Sequence, residues 1–222
     1  MKGGLRLVVF DVDGTLVDSQ NHILAAMAHA FGALDIDLPP REAVLSIVGL
    51  SLPEAMARLV PDLPGQSHED LVAAYKQSFG TLRAETLAPL YPGAADALSA
   101  LGSQADVLLG VATGKSRRGL DHVLRAHALD RHFVTCQVAD DHPSKPHPSM
   151  LLAACAETAA GPGVMIGDTT YDIEMGRAAG FATIGVAWGY HRAEALAEAG
   201  AGQVIEAFDA LLPALERVWE IA

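Results

Sequence analysis

Two carboxylates leave one short apolar run together. Asp11 and Asp13 stand two residues apart in Asp11-Val12-Asp13-Gly14-Thr15, directly after Leu5-Arg6-Leu7-Val8-Val9-Phe10. If that run is a strand, Gly14 turns the chain and both acids reach one small volume. Such a pair suits a nucleophile with an acid–base partner, or part of a cation shell. An Asp/Gly turn without chemistry accounts for the same residues.

Three further segments carry groups of complementary type. Thr113-Gly114 offers a hydroxyl and a flexible amide, suited to phosphate oxygens or to capping a helix. Lys145 supplies an ammonium inside Pro143-Ser144-Lys145-Pro146-His147-Pro148, where a solvated lysine is the plainer account. Gly167-Asp168-Thr169-Thr170-Tyr171-Asp172 places two more acids four residues apart. They could hold a hard cation across a turn or cap the helix that follows.

Most of these groups follow apolar runs. Val107–Ala112 ends at Thr113 and Val164–Gly167 ends at Asp168, while Phe133–Val138 and Thr183–Ala187 have the same character. Continuous apolarity predicts strands covered on both faces. Helical patterns over Gly119–Leu129, Pro148–Ala159 and Ile173–Ala179 alternate with them. The alternation predicts an α/β fold with a doubly wound parallel sheet, whose ligands sit beyond the carboxyl ends of the strands. One stretch breaks it: from about Asp18 to Leu87 the patterns are helical, over Ile23–Leu34, Arg41–Val48, Pro53–Leu59 and Glu69–Glu85. They predict an inserted helical domain over residues 18–87, with the core formed by 1–17 and 88–222.

Composition narrows the function classes. The chain has 222 residues, half of them hydrophobic, and a formal charge of -12. No basic stripe is visible, so neither nucleic acid nor an anionic membrane surface is an expected partner. The first apolar run is too short to span a membrane, and no signal-cleavage pattern follows it, so a cytoplasmic location is expected. Cys136 and Cys155 form no CxxC and no Cys/His cluster, which leaves two buried thiols as the expectation. No GxGxxG follows a strand, no Walker A segment occurs, and Gly49-Leu50-Ser51-Leu52-Pro53 lacks the final glycine of a serine-hydrolase elbow.

Taken in order, Asp11-Val12-Asp13-Gly14-Thr15-Leu16-Val17-Asp18-Ser19, Thr113-Gly114-Lys115, Lys145-Pro146 and Gly167-Asp168 with Asp172 resemble the four motifs of the haloacid dehalogenase superfamily. Tyr91-Pro92-Gly93 and Trp188-Gly189-Tyr190-His191 resemble its phosphoglycolate-phosphatase-like branch. The resemblance implies a Rossmann-like core with an α-helical cap, and a Mg2+-dependent phosphomonoester hydrolase acting on a small phosphorylated metabolite. It implies Asp11 as nucleophile, Asp13 as general acid and base, and Thr113, Gly114 and Lys145 as phosphate ligands. Asp11, Asp13, Asp168 and Asp172 would form the Mg2+ shell. Four carboxylates against one ammonium leave three negative charges; Mg2+ and a proton on Asp13 would bring the set near zero, so a phosphate dianion needs the metal to enter. A phosphosugar mutase on the same scaffold is the alternative, and a non-catalytic regulatory protein of the same fold a remoter one. Gly49 and Ser51, in a loop expected to dip from the cap, and Lys115 and Arg117, after Thr113, are the expected substrate-selecting residues. Arg41, Arg58, Lys76 and Arg83 are the cap's other cations. The chain is expected to be a monomer or homodimer.

Overall fold

A computed structural model describes residues 4–221. Residues 1–3 and 222, which belong to the expected core ranges, lie outside the described residues. The chain opens on β1 (Arg6–Phe10) and then forms four helices, α1 (Gln20–Ala33), α2 (Arg41–Ser46), α3 (Leu52–Leu59) and α4 (Gly65–Glu85). Helix α5 (Ala94–Gly102) leads to β2 (Val107–Thr113), α6 (Arg117–Ala126), β3 (Phe133–Val138), α7 (Ser149–Thr158) and β4 (Val164–Gly167). There follow α8 (Thr170–Ala178), β5 (Ala182–Val186), α9 (Ala193–Glu198), β6 (Gln203–Ile205) and α10 (Leu211–Ile221).

All five strand pairings are parallel, in the order β3-β2-β1-β4-β5-β6. The chain therefore fills the sheet outward from β1 on one side, then returns to β1's other edge at β4. Strand order reverses there, and the crevice beyond β1 and β4 is where such sheets bind ligands. Phe10 pairs with Ile166 in register, so Asp11 stands level with Gly167, and Asp168 follows one residue further along the neighbouring strand end. Val8 and Phe10 face one apolar layer, against α5, α6 and α10; Leu7 and Val9 face the other, against α7 and α8. Covering both faces explains the unbroken apolar runs.

The four helices between β1 and α5 bury their own cluster, around Ile23, Met27, Phe31, Val44, Met56 and Leu71. The chain enters and leaves this layer side by side: Asp18 N–H donates to Pro89 O at 2.9 Å, and Tyr91 N–H to Leu16 O at 2.9 Å. Tyr171 and Tyr190 of the sheet layer pack against the helical cluster. Helix α4 starts at Gly65, behind Pro64 at its N-cap, rather than at Glu69. Helix α8 starts at Thr170 rather than Ile173, because the Thr169 hydroxyl and the Asp172 carboxylate form a reciprocal capping box. Both cysteines are free and half-buried rather than fully buried. Among the described residues no helix is long and apolar enough to cross a membrane.

Candidate active site

Asp11 sits one residue past β1 and is buried. Its amide is spent on Ile166 O at 2.9 Å, which fixes the backbone to the neighbouring strand. Both carboxylate oxygens are buried without a hydrogen-bond partner. Lys145 Nζ lies 3.0 Å from Asp11 Oδ1, an ion pair without hydrogen-bond alignment. Burial pushes the Asp11 carboxyl up to about 7; Lys145 opposes the shift, and the charges of Asp172 and Asp13 add to it.

Lys145 is itself buried, and its firmer partner is Asp172, at 2.6 Å from Nζ to Oδ1. Burial alone would lower the lysine, but Asp11 and then Asp172 outweigh it and hold the ammonium charged. The other oxygen of Asp172 accepts from Thr169 N at 3.0 Å and Thr169 Oγ1 at 2.7 Å. Asp172 is thus fully engaged in placing Lys145 and starting α8. Asp168 accepts from Thr15 Oγ1 at 2.8 Å and from Tyr190 N–H at 2.9 Å. Burial, then Asp172 and Asp11, raise its carboxyl well above the usual range. Ligand oxygens of Asp11, Asp168 and Asp172 all lie within 4.8 Å of one another. Three buried carboxylates against one ammonium leave a local negative surplus. With oxygen donors only, and neither Asp11 oxygen taken by a hydrogen bond, this set fits a hard divalent cation such as Mg2+.

Asp13 is held differently. Lys115 Nζ bridges both of its carboxylate oxygens, at 2.8 and 2.7 Å, with both side chains largely buried. The Ser19 hydroxyl donates to Asp13 Oδ1 and lies 3.0 Å from Tyr190 Oη. The charge on Asp13 is therefore balanced by Lys115, where the sequence reading invoked a proton. Phe79 of α4 covers the ammonium, its ring centroid 5.2 Å from Nζ.

Thr113 ends β2 and is buried. At Gly114 the helical layer comes down onto the sheet layer. A Cβ there would meet Gly49 O at 2.7 Å and Leu50 O closer still, so only glycine lets the loop approach. Ser51 N–H donates to Ser144 Oγ at 2.9 Å, tying the same loop to the segment before Lys145. A cavity of about 540 Å3 opens beside this contact. Asp11, Asp13, Thr113, Gly114, Lys115, Gly49 and Ser51 line it, with Tyr75 and Phe79 from α4.

Arg117 does not belong to the cavity lining. Its guanidinium donates to Cys136 O at 2.6 Å and lies 3.7 Å from Asp141, on the β3 side of α6. The next residue along the helix turns the other way, so Arg118 lines the cavity in its place. Of the cap cations, Lys76 and Arg83 line it and Arg41 and Arg58 do not. Arg58 sits beside Glu54 at 3.7 Å and donates to Tyr171 Oη at 3.2 Å. Sequence reasoning did not single out Thr15, Ser19 or Tyr190 for the site, although Ser19 and Tyr190 stand inside the segments that carried the resemblance. His191, from the same segment as Tyr190, links the layers: its Nδ1 accepts from Thr170 N–H at 3.1 Å and its Nε2 donates to Ser46 O at 3.1 Å.

The model of the haloacid dehalogenase-like hydrolase family matches residues 8–186. The chain is 34% identical to the probable phosphatase IndB of Dickeya dadantii, over 97% of this chain and 96% of that one. It is 30% identical to the phosphoglycolate phosphatase of Pasteurella multocida, over 95% and 98%. Among solved structures, a predicted phosphoglycolate phosphatase from Haemophilus somnus superposes with a TM-score of 0.80 at 26% identity, covering 95% of this chain and 97% of that one.

Proposed function

The chain belongs to the haloacid dehalogenase-like hydrolase family, and from that premise we propose that it is a Mg2+-dependent phosphomonoester hydrolase in which Asp11 attacks phosphorus. The observation that carries this reading is the Asp11 carboxylate: buried, lining a cavity, and without a hydrogen bond to either oxygen. Leaving a buried polar group unsatisfied costs about 1–3 kcal/mol. A group held that way, beside a buried ammonium and two more carboxylates, is suited to meet a cation and a phosphoryl group.

An Asp11 oxygen would bond to phosphorus as the ester P–O bond breaks, giving an aspartyl phosphate. Asp13 would deliver a proton to the leaving alkoxide. It would then take one from the water that attacks phosphorus, releasing phosphate and restoring Asp11. Lys115 occupies both Asp13 oxygens, so Asp13 would take up a proton from solvent, and then serve the leaving group, only once Lys115 swings away. The incoming phosphate oxygens, competing for the same ammonium, supply the pull. Thr113, the Gly114 amide and Lys145 would hold the equatorial oxygens, and Asp172 keeps Lys145 in place. Mg2+, held by Asp11 and Asp168 with Asp172 beside them and the Asp13 backbone carbonyl completing the set, would neutralise charge on the transferring group. Residues 18–87 would act as the cap that excludes water and selects a small phosphorylated metabolite.

Phosphate release from a panel of phosphomonoesters, with and without Mg2+, tests this reading. Mg2+-dependent release by the wild type, with a loss of at least about a thousandfold in Asp11→Asn, is expected. Release from no member of the panel, or interconversion of sugar phosphates without net release, would contradict it.

A further inference from the structure

The cavity is larger and more mixed in character than phosphate alone requires. Its volume, about 540 Å3, lies within the roughly 300–1,000 Å3 of sites that take drug-sized ligands, and far exceeds what a two-carbon phospho acid fills. Ile23, Val48, Leu50, Leu52, Tyr75 and Phe79 give it an extended apolar wall.

Charge on its lining is unevenly matched. Asp13 is paired with Lys115 and Asp11 with Lys145. Asp140, the remaining lining acid, accepts from the Arg117 backbone N–H at 2.8 Å. Three lining cations are left, namely Lys76 and Arg83 from α4 and Arg118 from α6. Among the described residues none of the three makes an ion pair. Arg83 Nη1 reaches to 3.9 Å of where a Cβ on Gly119 would stand, so the last turn of α4 brings its guanidinium against the first turn of α6. Burial and then the nearby Arg118 lower the Arg83 guanidinium from its ordinary value, as two like charges with no acid between them require. Among the described residues, none of the chain's 27 acids forms an ion pair with either arginine.

We propose that the α4–α6 flank of the cavity, through Arg83 and Arg118, receives a second anionic group, and that the substrate is a phosphate monoester whose apolar or aromatic body carries that group. The inference rests on the phosphatase reading above and names its substrate class. Guanidinium forks bind carboxylate and phosphate oxygens in two-pronged fashion. Because one arginine comes from the cap and the other from the core, an anion between them also removes their repulsion and draws the two layers together.

Four probes test it: phenyl phosphate, 4-carboxyphenyl phosphate, 1,4-phenylene bisphosphate and 2-phosphoglycolate. The wild type is expected to favour one or both of the aryl esters that carry a second anionic group over phenyl phosphate by about tenfold or more in kcat/KM, and over 2-phosphoglycolate as well. Which ester wins tells a carboxylate from a second phosphate. Arg83→Gln and Arg118→Gln should each bring the preference toward one, chiefly through KM. Equal kcat/KM for phenyl phosphate and the charged esters, a preference untouched by both variants, or 2-phosphoglycolate as the best of the four would overturn the inference. Calorimetric binding of the same probes to Asp11→Asn reads the preference without turnover. A preference seen in binding but with no turnover in the wild type supports the anion site and counts against the phosphatase reading alone.

Discussion

At the scale of the residue, the role proposed for Asp11 comes with a cost. Its carboxyl is pushed up to about 7, first by burial, whereas in the unfolded chain it titrates near about 3.9. Between those values the folded state binds more protons than the unfolded one, so this group's contribution to stability falls as pH rises from about 4 to about 7. Asp168 is raised in the same direction, again by burial first. Metal-free Asp11→Asn is therefore expected to melt higher than the wild type at about pH 8, by on the order of 2 kcal/mol, and the gain should shrink at about pH 5. Thermal melts in chelator at the two pH values check this, and an equal gain at both would contradict it. Around Asp11, the groups legible in the sequence were those whose type and strand-end position both speak, such as Asp13, Thr113 and Asp168. Thr15 and Ser19 were not, because they act through hydrogen bonds to Asp168 and Asp13, and Ser19 also meets Tyr190 across 171 positions. No local spacing records such a contact.

At the scale of the element, the strand ends do most of the placing. Unbroken apolar runs ending in acid or threonine marked β1, β2 and β4, and all three deliver their groups to the crevice where strand order reverses. Strand β6 escaped notice because its three residues are short and half-buried, without an apolar run. Arg117 was named without regard to helix phase: one residue of rotation on α6 separates its place on the β3 side from that of Arg118 on the cavity. The Gly49–Ser51 loop lines the cavity, and its seat is Gly114. Gly114→Ala would place a methyl against the Gly49 and Leu50 carbonyls. The crowding is expected to cost about 1–3 kcal/mol in stability. It should also lower kcat/KM by about tenfold or more by moving the cap loop. Unchanged melting together with unchanged kcat/KM would show that the loop does not rest on this contact.

At the scale of the molecule, a chain of formal charge -12 encloses a cavity whose α4–α6 flank carries cations without an ion pair among the described residues, while Asp11, on its lining, clusters with the buried carboxylates of Asp168 and Asp172. The two poles suit a divalent cation at one and an anionic substrate group at the other. A cation that binds the folded state alone stabilises it by about 2.7 kcal/mol at one hundred times its dissociation constant. The melting temperature is accordingly expected to rise with Mg2+, and Asp168→Asn should remove most of that rise. Identical melting with and without Mg2+ would argue against the metal site. Side-by-side crossings at Asp18 and Tyr91 give the helical layer a narrow attachment, consistent with its proposed work as a cap.

The central claim is that Asp11 takes the phosphoryl group. Acid-quenching the enzyme during turnover with Mg2+ and a good phosphomonoester, followed by peptide mass spectrometry, tests it most directly. A phosphate adduct on the peptide at Asp11, absent from Asp11→Asn, is the predicted result. Turnover with no adduct at Asp11, or with the adduct on another residue, would contradict the account.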